Sequence, residues 1–416
     1  MIRHVPFWLD RFPKSRRPSY PRFRGEAEAR VAIIGGGLTG CACAWSFAAA
    51  GIRTIVIEAD RIGAGATASG PGMVREDFDA SFQETASLYG LRAARVLWQG
   101  MRRASLEFAA TLRRLRIRCD LAPQDLLTIA LRDPDAGRRL RREYEARRAA
   151  GLDHTWMTPA AVGRSAAIAA AGAIRTRGAV VDPYRACVGL AAAAVARGAQ
   201  LFEQSRVLRI RTSRKRVEIV VKGGTVRAEA VVAAVPAWPE PGQRAALTDL
   251  RALRRHLRPE HGYAVVTGSL RAAVRRELGT RAAVLRDDAE PPHVVRWLRE
   301  DRVLVAGADQ PPVAARAADK VLTQRTGQLM YELSTIYPAI SGAMPEWSWQ
   351  YAHEGTIDSL PYVGTHRNFP RHLFALGHDR HGLAVSWLAA RVLLRNFLDE
   401  PAKGDELFGF SRILSS

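Results

Sequence analysis

Apolar residues in the first sixty positions predict a strand, a helix and a second strand in close succession. Residues 30–34 form a β-branched apolar run that stops at Gly35, as a buried parallel strand does where it ends in a turn. Residues 38–50 are rich in alanine and lack proline, which favours a helix, and Gly51 stands where a left-handed C-cap is common. Residues 54–58 predict a second strand that ends in a carboxylate. Together these segments predict one βαβ unit.

Three further helices are predicted beyond this unit, and a fourth closes the chain. Apolar residues at three-and-four spacing between 97 and 115 predict one buried helix face. Residues 137–150 predict a charged, exposed helix, and an alanine-rich helix ends at Gly198. The final apolar helix is predicted over residues 386–397. The helix face between residues 97 and 115 is interpreted as core packing.

Six further strands are predicted in the second half of the chain, and the last three alternate as antiparallel strands do. They are residues 201–210, 217–221, 230–235, 263–267, 293–298 and 302–306. The order of elements therefore favours an α/β fold whose first domain is interrupted by a second, mixed domain.

The turn after the first strand has the spacing of a dinucleotide-binding loop. Gly35-Gly36-Gly37-Leu38-Thr39-Gly40 is a G-x-G-x-x-G between a predicted strand and a predicted helix, and Glu58 follows about 20 residues on. Gly35 permits a tight turn, Gly37 lets the backbone approach a pyrophosphate, and Gly40 lets the helix lie close to the sheet. Free N–H groups at the helix start favour phosphate, and Glu58 would accept hydrogen bonds from a ribose. The pattern predicts dinucleotide binding without distinguishing FAD from NAD.

The positive charge of the chain has two alternative explanations. Lys and Arg number 62 against 41 Asp and Glu, a formal net charge of +21. RNA, a membrane surface or an anionic substrate would account for such a charge. The arginines are scattered over the whole length and interleaved with acids, which favours a compositional preference for arginine. Nucleic acid is therefore not an expected partner.

Cysteine usage and hydropathy indicate the compartment. The four cysteines, Cys41, Cys43, Cys119 and Cys187, are too few and too unevenly spaced for a disulfide framework or a zinc ligand set. No apolar run suits a signal peptide or reaches the roughly 20 residues of a membrane span. We therefore predict a cytoplasmic protein without a transmembrane segment.

Five blocks, in order from residue 57 to residue 383, resemble the D-amino acid oxidase, glycine oxidase and sarcosine oxidase (DAO) superfamily of FAD proteins. Two of them are Gly178-Ala-Val-Val-Asp-Pro-Tyr-Arg185 and Gly377-His-Asp-Arg-His-Gly-Leu383, the latter similar to a C-terminal flavin loop. The other three are residues 57–70, 230–238 and 356–364. Because the matches keep their order, the resemblance is more specific than any one block.

The resemblance implies a discontinuous Rossmann-type FAD-binding domain around a mixed, largely antiparallel α+β substrate domain. The FAD-binding segments are predicted as 26–75, 150–238 and 340–416, the substrate domain as 76–149 and 239–339, and residues 1–25 as a polar lead-in with aromatic anchors. The implied reaction is hydride transfer from a carbon bearing an amine to the flavin, which gives an imine. The predicted cofactor-binding residues are Gly35, Gly37, Leu38, Thr39, Gly40, Glu58, Ala59, Arg61, Ala66, Thr67, Ser69, Gly70, Val207, Ala234, Trp238, Gly377, Arg380, His381, Gly382 and Leu383.

Departures from the family pattern narrow these expectations. Members that tether FAD covalently use a histidine after the small-residue run or a cysteine in the C-terminal part, but Ala68 and Ser69 occupy the first region and no cysteine follows Cys187. We therefore predict non-covalent FAD. Sarcosine oxidases use one lysine in the reaction with oxygen and another to hold the substrate carboxylate. The corresponding positions of this sequence are near Val305 and Ala384. Without these lysines the sequence leaves two alternatives for the electron acceptor, O2 or another molecule.

Four polar residues are candidates for the chemistry with substrate. Arg75 and Arg296 could bind a carboxylate, although each could equally be a surface or strand-face residue. Tyr263, which shares a predicted strand with His261, could contact substrate or pack. His381 is placed to act as an acid or base near the flavin. The pair His378 and His381 lacks a recognisable third ligand, so no metal is predicted.

Two alternative functions remain open at this level. A flavin domain acting on modified tRNA would make use of the net charge, and its binding would weaken steeply with salt. A non-catalytic flavin-fold subunit of a larger complex would bind the cofactor without being reduced by amines.

Overall fold

The computed structural model describes residues 2–131, 134–238, 253–278, 283–378 and 382–412. Within these ranges the chain forms two large sheets, one small sheet and eleven α-helices. The helices α1 to α11 are Phe7–Arg11, Leu38–Ala49, Ala66–Ser69, Phe82–Tyr89, Leu91–Arg114, Pro134–Ala149, Pro159–Ala166, Pro183–Val195, Ala272–Leu278, Ala318–Ile336 and Leu383–Leu398. The strands β1 to β19 are Gly25–Ile34, Thr54–Ile57, Met73–Val74, Ala122–Pro123, Asp125–Ala130, Thr155–Met157, Gly172–Thr176, Ala179–Val180, Gln200–Phe202, Val207–Thr212, Val217–Val221, Gly224–Ala233, Leu257–Thr267, Ala283–Arg286, Val294–Trp297, Val303–Gln310, Pro345–Thr356, Tyr362–His366 and Phe369–Leu376.

The first sheet has a parallel centre in the order β9-β2-β1-β12-β19. Strand β11 pairs antiparallel with β12 and β10 pairs antiparallel with β11, while β18 pairs antiparallel with β19. Along β1, Val31 and Ile33 belong to the core beneath α2, α8 and α11, whereas Ala32 and Ile34 belong to the core on the opposite face. A strand buried on both faces needs a continuous apolar run, which explains the pattern at residues 30–34. The predicted βαβ unit is confirmed.

The second sheet is eight-stranded, in the order β17-β13-β16-β15-β14-β5-β7-β6. All its neighbours are antiparallel except β14 and β5, which agrees with the predicted mixed, largely antiparallel domain. On one face Val265 and Val305 pack with Leu329 and Leu333 of α10. The opposite face, which we call the cleft face, packs in the core of the first domain.

The sheets divide the chain at different points from those predicted. Strands β6 and β7 lie in the predicted FAD-binding segment 150–238, and β17 lies in the segment 340–416, but all three are hydrogen-bonded into the second sheet. Helix α5, predicted in the substrate domain, packs instead against α11. The sequence of a short strand or of a helix carries little information about which element it pairs with, so the domain boundaries remain a prediction.

The lead-in is anchored by aromatic residues, as the sequence predicted. The ring centroid of Phe7 lies 5.0 Å from that of Trp347 in an edge-to-face contact. The indole Nε1 of Trp8 donates a hydrogen bond of 2.9 Å to the carbonyl of Gly70. The first helix therefore joins the second sheet to the first domain.

Candidate cofactor and substrate site

Two glycines of the turn between β1 and α2 leave no room for a side chain. Gly35 has a φ of +106°, and a Cβ on it would lie 2.4 Å from the carbonyl oxygen of Ala234. A Cβ on Gly40 would lie 1.9 Å from the carbonyl oxygen of Gly35. At Gly37 the nearest atom to such a Cβ is Thr67 Oγ1, at 3.3 Å. The chain therefore turns tightly after β1, α2 lies close to that turn, and the start of α2 is open. A pyrophosphate site requires all three.

The carboxylate of Glu58 lies directly beside this turn. Its Oε2 accepts a hydrogen bond of 2.6 Å from the backbone N–H of Gly36, and its Oε1 accepts one of 2.7 Å from that of Asp60. Burial raises the pKa of Glu58, and the backbone N–H groups act in the opposite direction. Each carboxylate oxygen retains further acceptor capacity for a ribose hydroxyl.

Other predicted residues surround Glu58. Ala59 and Arg61 follow it in the turn after β2. The backbone N–H of Ser205 donates to the carbonyl of Glu58 over 2.8 Å, and Val207 begins β10 two residues later. The structure therefore brings these predicted cofactor residues together at one end of the first sheet.

The small-residue run, residues 63–72, is held by three side chains. The hydroxyl of Thr67, in α3 with Ala66, accepts a hydrogen bond of 2.8 Å from the backbone N–H of Leu38. The indole of Trp349 donates to the carbonyl of Ser69 over 2.9 Å, and that of Trp8 to Gly70. Hence the run lies between the start of α2 and the cleft face.

The flavin loop, residues 377–383, leads into α11. Gly377 has a φ of +66°, and a Cβ on it would lie 2.4 Å from Thr356 Cγ2. Gly382 is the N-cap residue of α11, whose first residue is Leu383. The predicted residues Arg380 and His381 lie outside the described residues. The loop thus opens onto a helix N-terminus, which favours negative charge.

His378 connects the flavin loop to the glycine turn. Its Nδ1 lies 3.1 Å from the hydroxyl of Thr39, which in turn lies 2.9 Å from the hydroxyl of Ser386. Burial lowers the pKa of His378 to about 4, so the ring is neutral near pH 7. Its Nε2 is shielded from water and has no hydrogen-bond partner among the described residues. Such an atom fits a polar group of a bound cofactor.

Trp238 follows β12 where the first domain meets the second sheet. Its backbone N–H donates a hydrogen bond of 2.6 Å to Oε1 of Glu354 in β17. The backbone N–H of Ala234 donates to the carbonyl of Ile34 over 2.9 Å. The carbonyl oxygen of Ala234 is the atom nearest to a Cβ on Gly35. Both residues lie beside the site, and neither position conflicts with the predicted role.

Arg75 does not have the open guanidinium that a substrate clamp needs. The side chain is fully buried, with Nε 2.8 Å from Asp77 Oδ1 and Nη1 3.0 Å from Asp79 Oδ1. Its Nη2 donates to the carbonyl of Phe78 over 2.8 Å. These contacts bind Arg75 into its own loop, so the structure favours a structural role over the predicted one.

Arg296 lies on the cleft face, as predicted, but its contacts are with backbone. Its Nη1 donates to the carbonyls of Pro71 at 2.6 Å, Gly72 at 3.1 Å and Val181 at 2.9 Å. Its guanidinium carbon lies 4.9 Å from the ring centroid of Trp8. Arg296 therefore holds the small-residue run against the second sheet, a positioning role that sequence reasoning missed.

Tyr263 faces away from the cleft. It belongs to the core that packs against α10, and its hydroxyl accepts a hydrogen bond of 2.8 Å from Gln310. His261 lies two residues earlier in the same strand, and its Nδ1 accepts a hydrogen bond from the backbone N–H of Val313 over 3.3 Å. Side chains of a strand alternate between faces, so the neighbours Gly262 and Ala264 occupy the cleft face instead. The predicted contact of Tyr263 with substrate is not supported.

A group of titratable residues on the cleft face was not predicted. It consists of Glu260 in β13, Asp309 in β16 and His353 in β17, whose ligand atoms all lie within 4.8 Å of one another. We call it the carboxylate–histidine cluster. One signal was present in sequence, because Trp347, Trp349, Tyr351 and His353 alternate and must share one strand face. Their cross-strand partners were not predictable without the register.

Among the described residues, no helix has both the length and the apolarity needed to cross a membrane.

Comparison with known proteins supports the reading of the glycine turn. The family model for FAD-dependent oxidoreductases (DAO) matches residues 30–395. Glycine oxidase from Geobacillus kaustophilus is 28% identical over 92% of this chain and 96% of its own. Gamma-glutamylputrescine oxidoreductase from Escherichia coli is 24% identical over 87% of this chain and 82% of its own. The crystal structure of the Geobacillus glycine oxidase superposes with a TM-score of 0.75 at 23% identity, covering 94% of this chain and 100% of that one.

Proposed function

This chain belongs to the family of FAD-dependent oxidoreductases, and from that premise we propose that it oxidises the carbon–nitrogen bond of a small amine or amino acid to an imine. It is an enzyme and its cofactor is FAD. The observation that carries the proposal is the glycine turn, where Gly35 and Gly40 exclude side chains and the carboxylate of Glu58 binds the N–H of Gly36. Non-covalent binding of FAD remains a prediction, as does the electron acceptor.

The described residues have separable tasks in holding the cofactor. The N–H groups at the start of α2 would bind the pyrophosphate and Glu58 the adenosine ribose. His378 and the N-terminal end of α11 would face the flavin end, where a neutral imidazole and a positive dipole end favour added negative charge. Bound FAD supplies the two-electron acceptor for the substrate C–H bond.

The substrate would lie between the flavin loop and the cleft face. The side chains of Trp349 and Tyr351 are buried on this face, and in this proposal they would pack against the substrate and exclude water. Arg296 would act only by positioning the small-residue run. The substrate contacts therefore come from β13, β16 and β17 in this proposal.

Reduction of the bound flavin tests the proposal directly. Purified protein is scanned for flavin absorbance and then mixed anaerobically with a panel of primary, secondary and N-methyl amines and amino acids. We expect a yellow protein that is bleached by at least one member of the panel. Release of the flavin by acid or heat, followed by ultrafiltration, tests whether it is dissociable. A yellow protein that no amine bleaches would overturn the proposed reaction.

A further inference from the structure

The lead-in runs from one domain to the other along the outside of the cofactor site. We call its residues 3–23 the N-terminal strap. Near its start the carbonyl of Arg3 accepts a hydrogen bond of 3.1 Å from the backbone N–H of Ser348 in β17. Near its end the backbone N–H of Tyr20 donates one of 3.1 Å to Oε2 of Glu203, directly after β9. The N-terminal strap therefore spans from the second sheet to the first.

The far end of the strap is joined to the segment that follows Glu58. Oε1 of Glu203 accepts a hydrogen bond of 2.8 Å from the backbone N–H of Ile62, while its Oε2 accepts from Tyr20. Glu203 is buried, so both of its oxygens are committed inside the protein. One carboxylate thus links the strap to the chain between Glu58 and the small-residue run.

The near end of the strap holds the small-residue run itself. The indole of Trp8 donates to the carbonyl of Gly70, and the indole of Trp349 donates to the preceding carbonyl, that of Ser69. Trp8 is buried beneath the guanidinium of Arg296, whose carbon lies 4.9 Å from the ring centroid. Two indoles, one of them from the strap, therefore fix two consecutive carbonyls of the run.

The composition of the run makes these contacts important. Residues 63–72 are all glycine, alanine, serine, threonine or proline, so they carry few side-chain atoms with which to hold their own position. On one side of the run lie the start of α2 and the proposed FAD site, and on the other side lies the strap. Contacts on either side order the same backbone, which lowers the entropy cost of binding on the opposite side.

We propose that the N-terminal strap and FAD stabilise each other through residues 59–72, with Trp8 as the positioning residue at Gly70. The inference rests on the proposed function only in that FAD occupies the glycine turn. The strap is docked when FAD is bound and leaves its place more often when FAD is absent. Coupling of this kind is reciprocal, so docking of the strap strengthens FAD binding by the same factor by which FAD strengthens docking.

Limited proteolysis tests the effect of FAD on the strap. Trypsin has exposed sites in the strap at Lys14 and Arg16, and further exposed sites at residues 214–216, between β10 and β11, serve as an internal control. Apoprotein from riboflavin-limited expression is digested with and without added FAD, and mass spectrometry follows each site. FAD should slow cleavage in the strap at least about fivefold and leave the control turn unchanged. Equal slowing at both places, or none in the strap, would overturn the inference.

The reciprocal effect is measured with Trp8→Phe, which keeps the ring packing but removes the donor to Gly70. Fluorescence titration should show FAD affinity lower by about fivefold, the loss expected for one hydrogen bond. Strap cleavage in the FAD-saturated variant should be faster than in wild type. The matched control is Trp156→Phe, in the edge strand β6, where the indole packs on Tyr144; it should change neither quantity. Circular dichroism checks that both variants are folded.

The outcomes separate this inference from the proposed reaction. Unchanged FAD affinity in Trp8→Phe together with FAD-independent cleavage of the strap overturns the coupling and leaves amine oxidation standing. A protein that binds FAD, protects its strap and is bleached by no amine keeps the coupling and loses the proposed reaction.

Discussion

The hydroxyl of Thr39 lies 3.1 Å from Nδ1 of His378, so the first helix of the cofactor domain and the flavin loop are linked by side chains 339 positions apart in sequence. Ser386, at the start of the last helix, contacts the same hydroxyl. The N-terminal ends of α2 and α11 thus meet at the imidazole ring of His378. This ring is neutral near pH 7 because burial lowers its pKa to about 4.

This neutral histidine predicts a loss of stability in mild acid. The unfolded chain binds a proton at His378 near pH 6.5, whereas the folded protein does not until about pH 4. The contribution of His378 is therefore present above pH 6.5 and declines as the pH falls toward 4. Thermal unfolding of wild type and His378→Asn between pH 4 and 7.5 measures it. The difference between their midpoints should shift with pH in that interval, and parallel curves would contradict the assignment.

His293 predicts the opposite pH dependence. Burial lowers its pKa, but hydrogen bonds of 2.7 Å to both Asp287 and Glu332 outweigh burial and raise the pKa to about 10. The stabilisation by His293 is therefore complete below pH 6.5, declines above it and is lost as the pH passes about 10. We expect His293→Gln to be less stable than wild type at pH 6 and to approach it near pH 10.5. His366→Gln serves as a control, since burial lowers the pKa of His366 and this trend should be absent.

Substitution of Gly40 should abolish tight binding of FAD. The Cβ of Gly40→Ala would overlap the carbonyl of Gly35 and force α2 away from β1. Such overpacking costs about 1–3 kcal/mol, which corresponds to roughly fivefold to over a hundredfold in FAD affinity if the strain falls on the turn. Gly100→Ala is the matched control, because the position lies within α5 with no atom within 4 Å of a Cβ. Fluorescence titration of the apoprotein with FAD measures both variants, and unchanged affinity in Gly40→Ala would contradict the pyrophosphate site.

Substitution of Arg296 separates positioning from substrate binding. Arg296→Met keeps the apolar stem but removes the side-chain donor to the carbonyls of Pro71 and Val181, while the carbonyl of Gly72 keeps the backbone N–H of Val181. Unsatisfied buried groups cost about 1–3 kcal/mol each, so we expect a lower unfolding temperature and weaker FAD binding. The KM of the fraction that retains FAD should change little. A large rise in KM with unchanged FAD affinity would show that Arg296 contacts substrate after all.

The sequence contained enough information to predict the βαβ fold around the glycine turn and FAD as the cofactor, while the individual cofactor contacts remain predictions. The glycine turn and Glu58 are local features within thirty residues, and the positions they require follow from backbone geometry. The long apolar strands and the final helix were predictable for the same reason, although α11 begins at Leu383, three residues before its predicted start.

The substrate half depends on contacts that are distant in sequence. Tyr263 was a candidate either for contact with substrate or for packing, and the pairing of β13 with β16 and β17 turns it toward α10. The register between β13 and β16 shifts at Gly307 to Gln310, where β16 carries one extra residue, which further obscures the face that Asp309 occupies. Glu260, Asp309 and His353 come together only through this register. Likewise, the sequence position of Arg75 suits the binding of a substrate carboxylate, but in the structure its guanidinium binds Asp77 and Asp79.

The parallel centre of the first sheet has a consequence for biosynthesis. Strand β1 pairs with β12, about 200 residues later, and β12 pairs with β19, about 140 residues after that, so the sheet cannot be completed until β19 has been translated. Pairings so distant form slowly and leave apolar strand edges open in the meantime. We expect the nascent chain to depend on chaperones until the ribosome releases it, and recombinant yield to rise at low temperature or with added riboflavin.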